Sequence, residues 1–104
     1  MVTKAEVKGK IQDWLRDQGW FVVSFAWHRR MPVTLKDYPD ITAFRKDRVL
    51  LVETKAPGKP LRPGQKTFAE TIQQYTGGHL IYCLAYSLDD VKAELWKTQK
   101  QEEN

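Results

Sequence analysis

The chain has 104 residues, of which 41% are apolar and 12% are aromatic, and its 17 basic and 13 acidic side chains give a formal charge of +4. This composition excludes a disordered tail and, with six glycines and five prolines, a collagen-like chain. The single cysteine excludes an internal disulfide and a zinc site built from cysteines. The length is that of one domain.

The sequence also indicates where the protein works. It contains no run of about 18 apolar residues that could span a membrane. Its first residues lack the apolar stretch of a signal peptide. We therefore expect a cytoplasmic protein with neither a membrane nor a disulfide partner.

The first predicted element is a helix over Thr3–Gln18. Thr3 and Glu6 have the spacing of a capping box, and apolar residues recur on one face of the segment. Gly19 is suited to end this helix.

Short apolar runs alternate with proline- and glycine-containing loops in the rest of the chain. These runs predict strands over Trp20–Trp27, Asp40–Phe44 and Val49–Lys55, a helix over Gly64–Tyr75, a strand over His79–Tyr86, and a helix after Ser87 that frays beyond about Lys97. The order α-β-β-β-α-β-α predicts a single α/β domain with a mixed central sheet flanked by helices.

The second and third strands are predicted to form a hairpin that turns between Lys46 and Asp47. In that register Asp40 lies opposite Glu53, and opposed residues project from the same face of an antiparallel pair. Lys55 shares this face because side chains alternate along a strand. Both faces of the hairpin are mostly apolar, so we expect it to be interior.

Two interpretations of these charges are open. Facing carboxylates in an interior hairpin repel each other and need a cation or a shared proton, and Mg²⁺ prefers oxygen ligands. Alternatively, Asp40 is a turn residue after Pro39, and Glu53 and Lys55 are solvated at a sheet edge.

Basic residues surround this hairpin. Residues 29–66 carry ten basic and four acidic side chains, which predicts a polyanionic partner such as DNA. The candidate phosphate-binding residues are His28, Arg29, Arg30, Lys36, Lys59, Arg62 and Lys66. Any one of them alone is more often a solvated surface charge, whereas as a set beside the carboxylates they favour DNA.

Gln65 is unusual because it falls in line with Phe68, Ala69 and Ile72 on the predicted helix. An amide on that face predicts a contact with a buried polar site. The alternative is an ordinary first-turn residue with a solvated amide.

The residues Pro39-Asp40 and Glu53-Thr54-Lys55 resemble the signature of the PD-(D/E)XK nucleases, and the predicted element order resembles their core. The segment Glu53–Gln65, with its proline-rich loop and its glutamine at the start of a helix, resembles the stand-alone VRR-NUC domains of phages and bacteria. The resemblance covers roughly residues 3–91.

The resemblance implies roles for individual residues. Asp40, Glu53 and the backbone carbonyl of Thr54 would hold Mg²⁺ or Mn²⁺, and Lys55 would assist the attacking water. Gln65 would complete the catalytic set. Glu6 matches an acidic residue of the family's first helix that is often a ligand through water, but the capping box explains Glu6 without a metal.

The function implied by the resemblance is that of a metal-dependent DNA endonuclease that leaves a 5′-phosphate and a 3′-hydroxyl. It would be selective for Holliday junctions or other branched DNA, and it would act as a homodimer in a bacterial or phage-infected cell. Two rivals remain: a non-catalytic DNA-binding or accessory module with this fold, and a nuclease that acts on single strands or RNA.

Overall fold

The computed structural model describes residues 1–24, residue 30 and residues 36–103, with side chains as far as residue 99. Within these ranges the elements are α1 (Lys4–Asp17), β1 (Phe21–Ser24), β2 (Ile41–Arg45), β3 (Arg48–Thr54), α2 (Pro63–Ile72), a 3₁₀ turn (Gln73–Tyr75), β4 (Leu80–Ala85) and α3 (Leu88–Glu103). This order confirms the predicted α/β class. No helix in the described ranges is long and apolar enough to cross a membrane.

Both ends of α1 follow from the sequence. The Thr3 hydroxyl accepts a hydrogen bond from the backbone N–H of Glu6 at 3.2 Å. At the other end Gly19 has a φ of 90°, and the N–H of Trp20 donates to the carbonyl of Leu15 at 3.0 Å. These contacts form a glycine-terminated helix end, which brings the buried Trp20 to the start of β1.

The four strands form one sheet in the order β1-β2-β3-β4. The β1–β2 and β2–β3 pairs are antiparallel, whereas β3 and β4 are parallel. Ile41 pairs with Val52 and Arg45 with Arg48, so the predicted hairpin register is confirmed. The same register places Asp40 beside Glu53.

One face of the sheet carries the core. It packs against α1 and α3 through fully buried aliphatic side chains, which include Ile11, Leu15, Ile41, Leu50, Val52 and Val91. The last helix continues to Glu103, past Lys97, where we expected fraying.

The opposite face of the sheet is covered in part by α2. Phe68 of α2 contacts Tyr82, with 6.4 Å between ring centroids, near the end of β3 that carries Glu53. At the turn end of the hairpin, Phe44 is 42% exposed. The expectation of an interior hairpin is therefore wrong at the turn end, on the sheet face that carries Phe44. The ten-residue α2 covers this face only near Glu53.

Candidate active site

The Asp40 carboxylate is fixed in place by the residue that follows Glu53. Its Oδ2 accepts hydrogen bonds from the backbone N–H of Thr54 at 2.9 Å and from the Thr54 hydroxyl at 2.5 Å. Burial acts to raise the pKa of Asp40. The hydrogen bonds with Thr54 and Glu53 and the charge of Lys4 together outweigh it and hold the pKa below its usual value. Asp40 is therefore ionised at neutral pH.

Glu53 lies next to Asp40 in a drier position, with only 2% of the residue exposed. Burial, followed by the negative charge of Asp40, raises the pKa of Glu53 to about 8. As a carboxylate, Glu53 accepts no hydrogen bond at its buried Oε2 from the described residues. When Glu53 holds a proton, it shares a side-chain hydrogen bond with Asp40, which also raises the pKa of Glu53. The pair thus combines one ionised carboxylate with one that holds a proton unless a cation is near.

Gln65 reaches this pair from the first turn of α2. Its Oε1 accepts from the N–H of Arg62 at 2.9 Å, and its Nε2 donates to Glu53 Oε1 at 2.5 Å. The side chain is 4% exposed, so the predicted contact with a buried polar site is present. The Gln65 amide thus caps the N-terminus of α2 and also orients the Glu53 carboxylate.

Contacts between two loops hold the start of α2 in position. The Arg62 guanidinium donates to the carbonyl of Lys36 at 3.1 Å and lies 3.8 Å from Asp37 Oδ1. A Cβ at Gly64 would come within 2.1 Å of Asp37 Oδ2, so only glycine fits there without moving the aspartate. The segment before β2 and the helix that carries Gln65 are thereby joined.

Lysines supply the positive charge near the two carboxylates. Lys55 is half-buried at the end of β3; burial lowers its pKa, and the nearby charge of Glu53 partly opposes this effect. Lys4 Nζ of α1 lies 3.1 Å from Asp40 Oδ1. Lys8, one turn further along, is also close enough to Asp40 and Glu53 for their charges to raise its pKa against the larger effect of burial.

Sequence reasoning missed Lys4 and Lys8. The available signal was their spacing, since residues four apart lie on the same face of a helix. Their position over the hairpin depends on how α1 is rotated against the sheet, which the apolar pattern alone does not define.

Glu6 takes a different position from the two lysines. It is exposed, and its backbone N–H is bonded to Thr3. In residues 1–24, 30 and 36–99 there is no group of three acidic, histidine or cysteine side chains arranged to hold a metal ion. The Thr3 half of the predicted capping box is therefore present, and a role of Glu6 at the metal stays a prediction.

The predicted phosphate-binding residues are only partly brought together. Arg62 is close enough to Lys55 to lower its pKa by charge repulsion. Arg30, Lys36, Lys59, Arg62 and Lys66 are exposed. His28 and Arg29 lie outside the described residues, and contact of the set with DNA remains a prediction.

Asp40 and Glu53 suit a hard divalent cation. Mg²⁺ is commonly held by one or two carboxylates and keeps several waters, so a third acidic ligand is not required. Glu53 Oε2, which accepts no hydrogen bond from the described residues, is an available oxygen donor, and Asp40 Oδ1 contacts the exchangeable ammonium of Lys4. The backbone carbonyl of Thr54 as a further ligand remains a prediction.

Comparison with known proteins adds one finding. The chain is similar to the protein named "Probable endonuclease LCL3" of Candida albicans (strain WO-1), with 32% identity over 89 residues that cover 76% of this chain and 36% of the relative. It is also similar to the protein of the same name in Candida dubliniensis (strain CD36), with 30% identity over 89 residues and the same coverage. The chain thus spans about a third of the length of these curated relatives. No protein-family model matches the chain.

Proposed function

We propose that the chain is a divalent-metal-dependent DNA endonuclease, with Asp40 and Glu53 as the residues that hold Mg²⁺ or Mn²⁺. The observation that carries this proposal is the buried carboxylate pair. Asp40 is ionised, and Glu53 Oε2 accepts no hydrogen bond from the described residues, so the pair must share a proton or bind a cation. When bound, the metal would polarise the scissile phosphate and neutralise its developing charge.

The chain's own residues would do the remaining work. The Gln65 amide donates to Oε1 of Glu53, so Oε2 of Glu53 would be available to hold the cation. Burial lowers the pKa of Lys55 and so favours the neutral amine, which would accept the proton of the attacking water. The ammonium so formed would stabilise the charge on the phosphate, and solvent would supply the proton for the leaving 3′ oxygen. Water oxygen bonds to phosphorus as the 3′ oxygen leaves, which gives a 5′-phosphate and a 3′-hydroxyl.

DNA is the proposed substrate. The basic segment 29–66 supports a polyanionic substrate, and the relatives' name, probable endonuclease, supports cleavage of a nucleic acid. The choice of DNA rests on the resemblance to the VRR-NUC domains. Phosphate contacts would provide most of the affinity, which would then fall with added salt. Preference for Holliday junctions or other branched DNA, and action as a homodimer, rest on the resemblance to the VRR-NUC domains.

The first prediction concerns Lys55. A four-way junction, a linear duplex, a DNA single strand and an RNA strand are incubated with the protein in Mg²⁺, Mn²⁺ or chelator. We expect metal-dependent cleavage of DNA, and Lys55→Ala should slow cleavage by about 100-fold or more because a positioned proton-transfer group is lost. Binding of the same DNA, measured in chelator, should remain.

Lys97→Ala is the matched control, since Lys97 is an exposed lysine of α3 that pairs with Glu94 at 3.4 Å. It should cleave at the wild-type rate. Full activity of Lys55→Ala would contradict the assignment. Binding without any cleavage would support the accessory-module alternative, and cleavage of RNA alone would replace the DNA substrate.

A further inference from the structure

A second polar and aromatic site lies away from the carboxylates. Between α1, α3 and the turn of the β2–β3 hairpin is an open cavity of about 320 Å³, lined by Trp14, Trp20, Arg45, Arg48, Lys92 and Trp96. Its volume is at the lower end of the range for small-molecule sites. Arg45 is about five strand residues, or about 16 Å, from Asp40, and it projects from the opposite face of the sheet.

The three indoles of the cavity differ in what they can offer a ligand. Trp20 is buried with 6% exposed, and the Trp14 ring has Lys92 Nζ over it at 5.5 Å from the centroid. Trp96 is 60% exposed, far more than Trp20. An exposed indole provides a large flat surface on which another planar group can stack.

The charge of the cavity is uniform. Arg45, Arg48 and Lys92 are all basic, and none of the described residues that line the cavity is acidic. Guanidinium groups present forked donors that match phosphate oxygens. A ligand that complements both the exposed indole and the basic side chains therefore carries a planar ring and an anionic oxygen group.

We propose that this cavity binds an unpaired nucleotide of a DNA strand, with the base stacked on Trp96 and the phosphate held by Arg45 and Arg48. The assignment of the strand as DNA rests on the proposed function. Stacking on aromatic side chains combined with a basic groove is how proteins bind single strands without reading sequence. The substrate would then carry unpaired nucleotides about 16 Å or more from the bond that is cut.

The test uses the full chain and a 5′-fluorescein-labelled oligothymidylate strand, with anisotropy recorded in chelator so that no cleavage occurs. Trp96→Ala should raise the Kd by about fivefold or more, the range measured when a stacking residue is removed. Trp96→Phe should recover most of the loss because it keeps an aromatic face. Tyr75→Ala removes an equally exposed aromatic residue (67%) outside the cavity and should leave the Kd unchanged.

A charge variant provides an independent measurement. Arg45→Gln should make the plot of log Kd against log salt shallower by about 0.7, the value for one phosphate contact on a single strand. Arg16→Gln removes the same charge from an exposed position of α1, where Arg16 lies 3.9 Å from Asp13, and should leave the slope unchanged.

Several results would overturn the inference. An unchanged Kd in Trp96→Ala would do so, as would an equal loss of affinity in Tyr75→Ala. If Trp96→Ala changes the sedimentation mass but not the Kd, the surface is instead an interface with a second copy of the chain. If Trp96→Ala loses its native circular dichroism, the exposed Arg45 still decides the matter through the salt slope. Cleavage of DNA by the wild type tests the proposed function separately, since strand binding in chelator requires no catalysis.

Discussion

Gln65 determines how Glu53 is presented. Because its Oε1 is used by the N–H of Arg62, the donor end of the amide must face Glu53. Glu53 Oε1 is thereby satisfied, whereas the buried Oε2 accepts no hydrogen bond from the described residues and lies beside the Asp40 carboxylate. A buried carboxylate in this state stays neutral or binds a cation. The helix cap and the proposed metal site are thus parts of one hydrogen-bonded arrangement.

The raised pKa of Glu53, about 8, predicts how stability depends on pH in chelator. Between pH 4.5 and 8 the folded protein holds a proton that the unfolded chain has released. The free energy of unfolding should therefore fall as pH rises through this window, with a slope of up to about 1.4 kcal/mol per pH unit, and level off above it. Denaturant titrations at several pH values measure this slope.

The matched variants are Glu53→Gln and Glu70→Gln. Glu53→Gln removes the titrating group and should flatten the slope, whereas Glu70 is exposed on α2 and its replacement should leave the slope as in the wild type. An identical slope in the wild type and in Glu53→Gln would refute the proton assignment.

The hairpin shows what could be predicted at the level of elements. Its register followed from the position of the turn and from alternation along the strands, and it brought Asp40 and Glu53 together. The position of Gln65 followed from helical periodicity. The sequence could not predict that α2 covers only part of the sheet face that carries Phe44. That outcome depends on where α2 packs on the sheet.

The turn of this hairpin contains a strained residue. Lys46 has a φ of 56°, in the left-handed region that is costly for a residue with a Cβ. Lys46→Gly should raise the free energy of unfolding by about 0.5–1 kcal/mol, because the relief of strain exceeds the entropic cost of glycine. Thermal or denaturant unfolding measures the difference.

The same substitution elsewhere should have the opposite sign. Lys10 is exposed within α1, so Lys10→Gly should lower the free energy of unfolding by about 1 kcal/mol or less. A loss of stability in Lys46→Gly as well would show that the lysine side chain stabilises the turn by more than its backbone strain costs.

Two separate groups of basic side chains lie at opposite ends of the hairpin. Lys4, Lys8 and Lys55 lie near the carboxylates, and Arg45, Arg48 and Lys92 line the cavity at the other end of the hairpin. The sequence predicted a basic segment but not this division, because α1 and α3 contribute residues distant in sequence. The apolar pattern predicted that these helices pack on the sheet, but not which polar side chains meet at their margins.

Metal binding should be visible in the stability of the whole molecule. A ligand that binds only the folded state raises the free energy of unfolding, by about 2.7 kcal/mol at 100 times its Kd. Mn²⁺ or Mg²⁺ should therefore raise the unfolding midpoint of the wild type, and Asp40→Asn should lose this response. No metal-dependent shift in the wild type would refute the metal site.

Lys4 allows a sharper form of this test. Its ammonium lies 3.1 Å from Asp40 Oδ1, in the place where a bound cation would compete with it. Lys4→Gln removes this competitor, so the metal Kd obtained from the midpoint shifts should fall by about two- to fivefold, the free energy of an exposed ion pair. Lys10→Gln makes the same change in charge at an exposed position of the same helix and should leave the metal Kd unchanged. If both variants lower the metal Kd equally, Lys4 acts only by long-range repulsion of the metal ion. If Lys4→Gln instead binds the metal more weakly, the lysine positions Asp40 and does not compete with the metal for it.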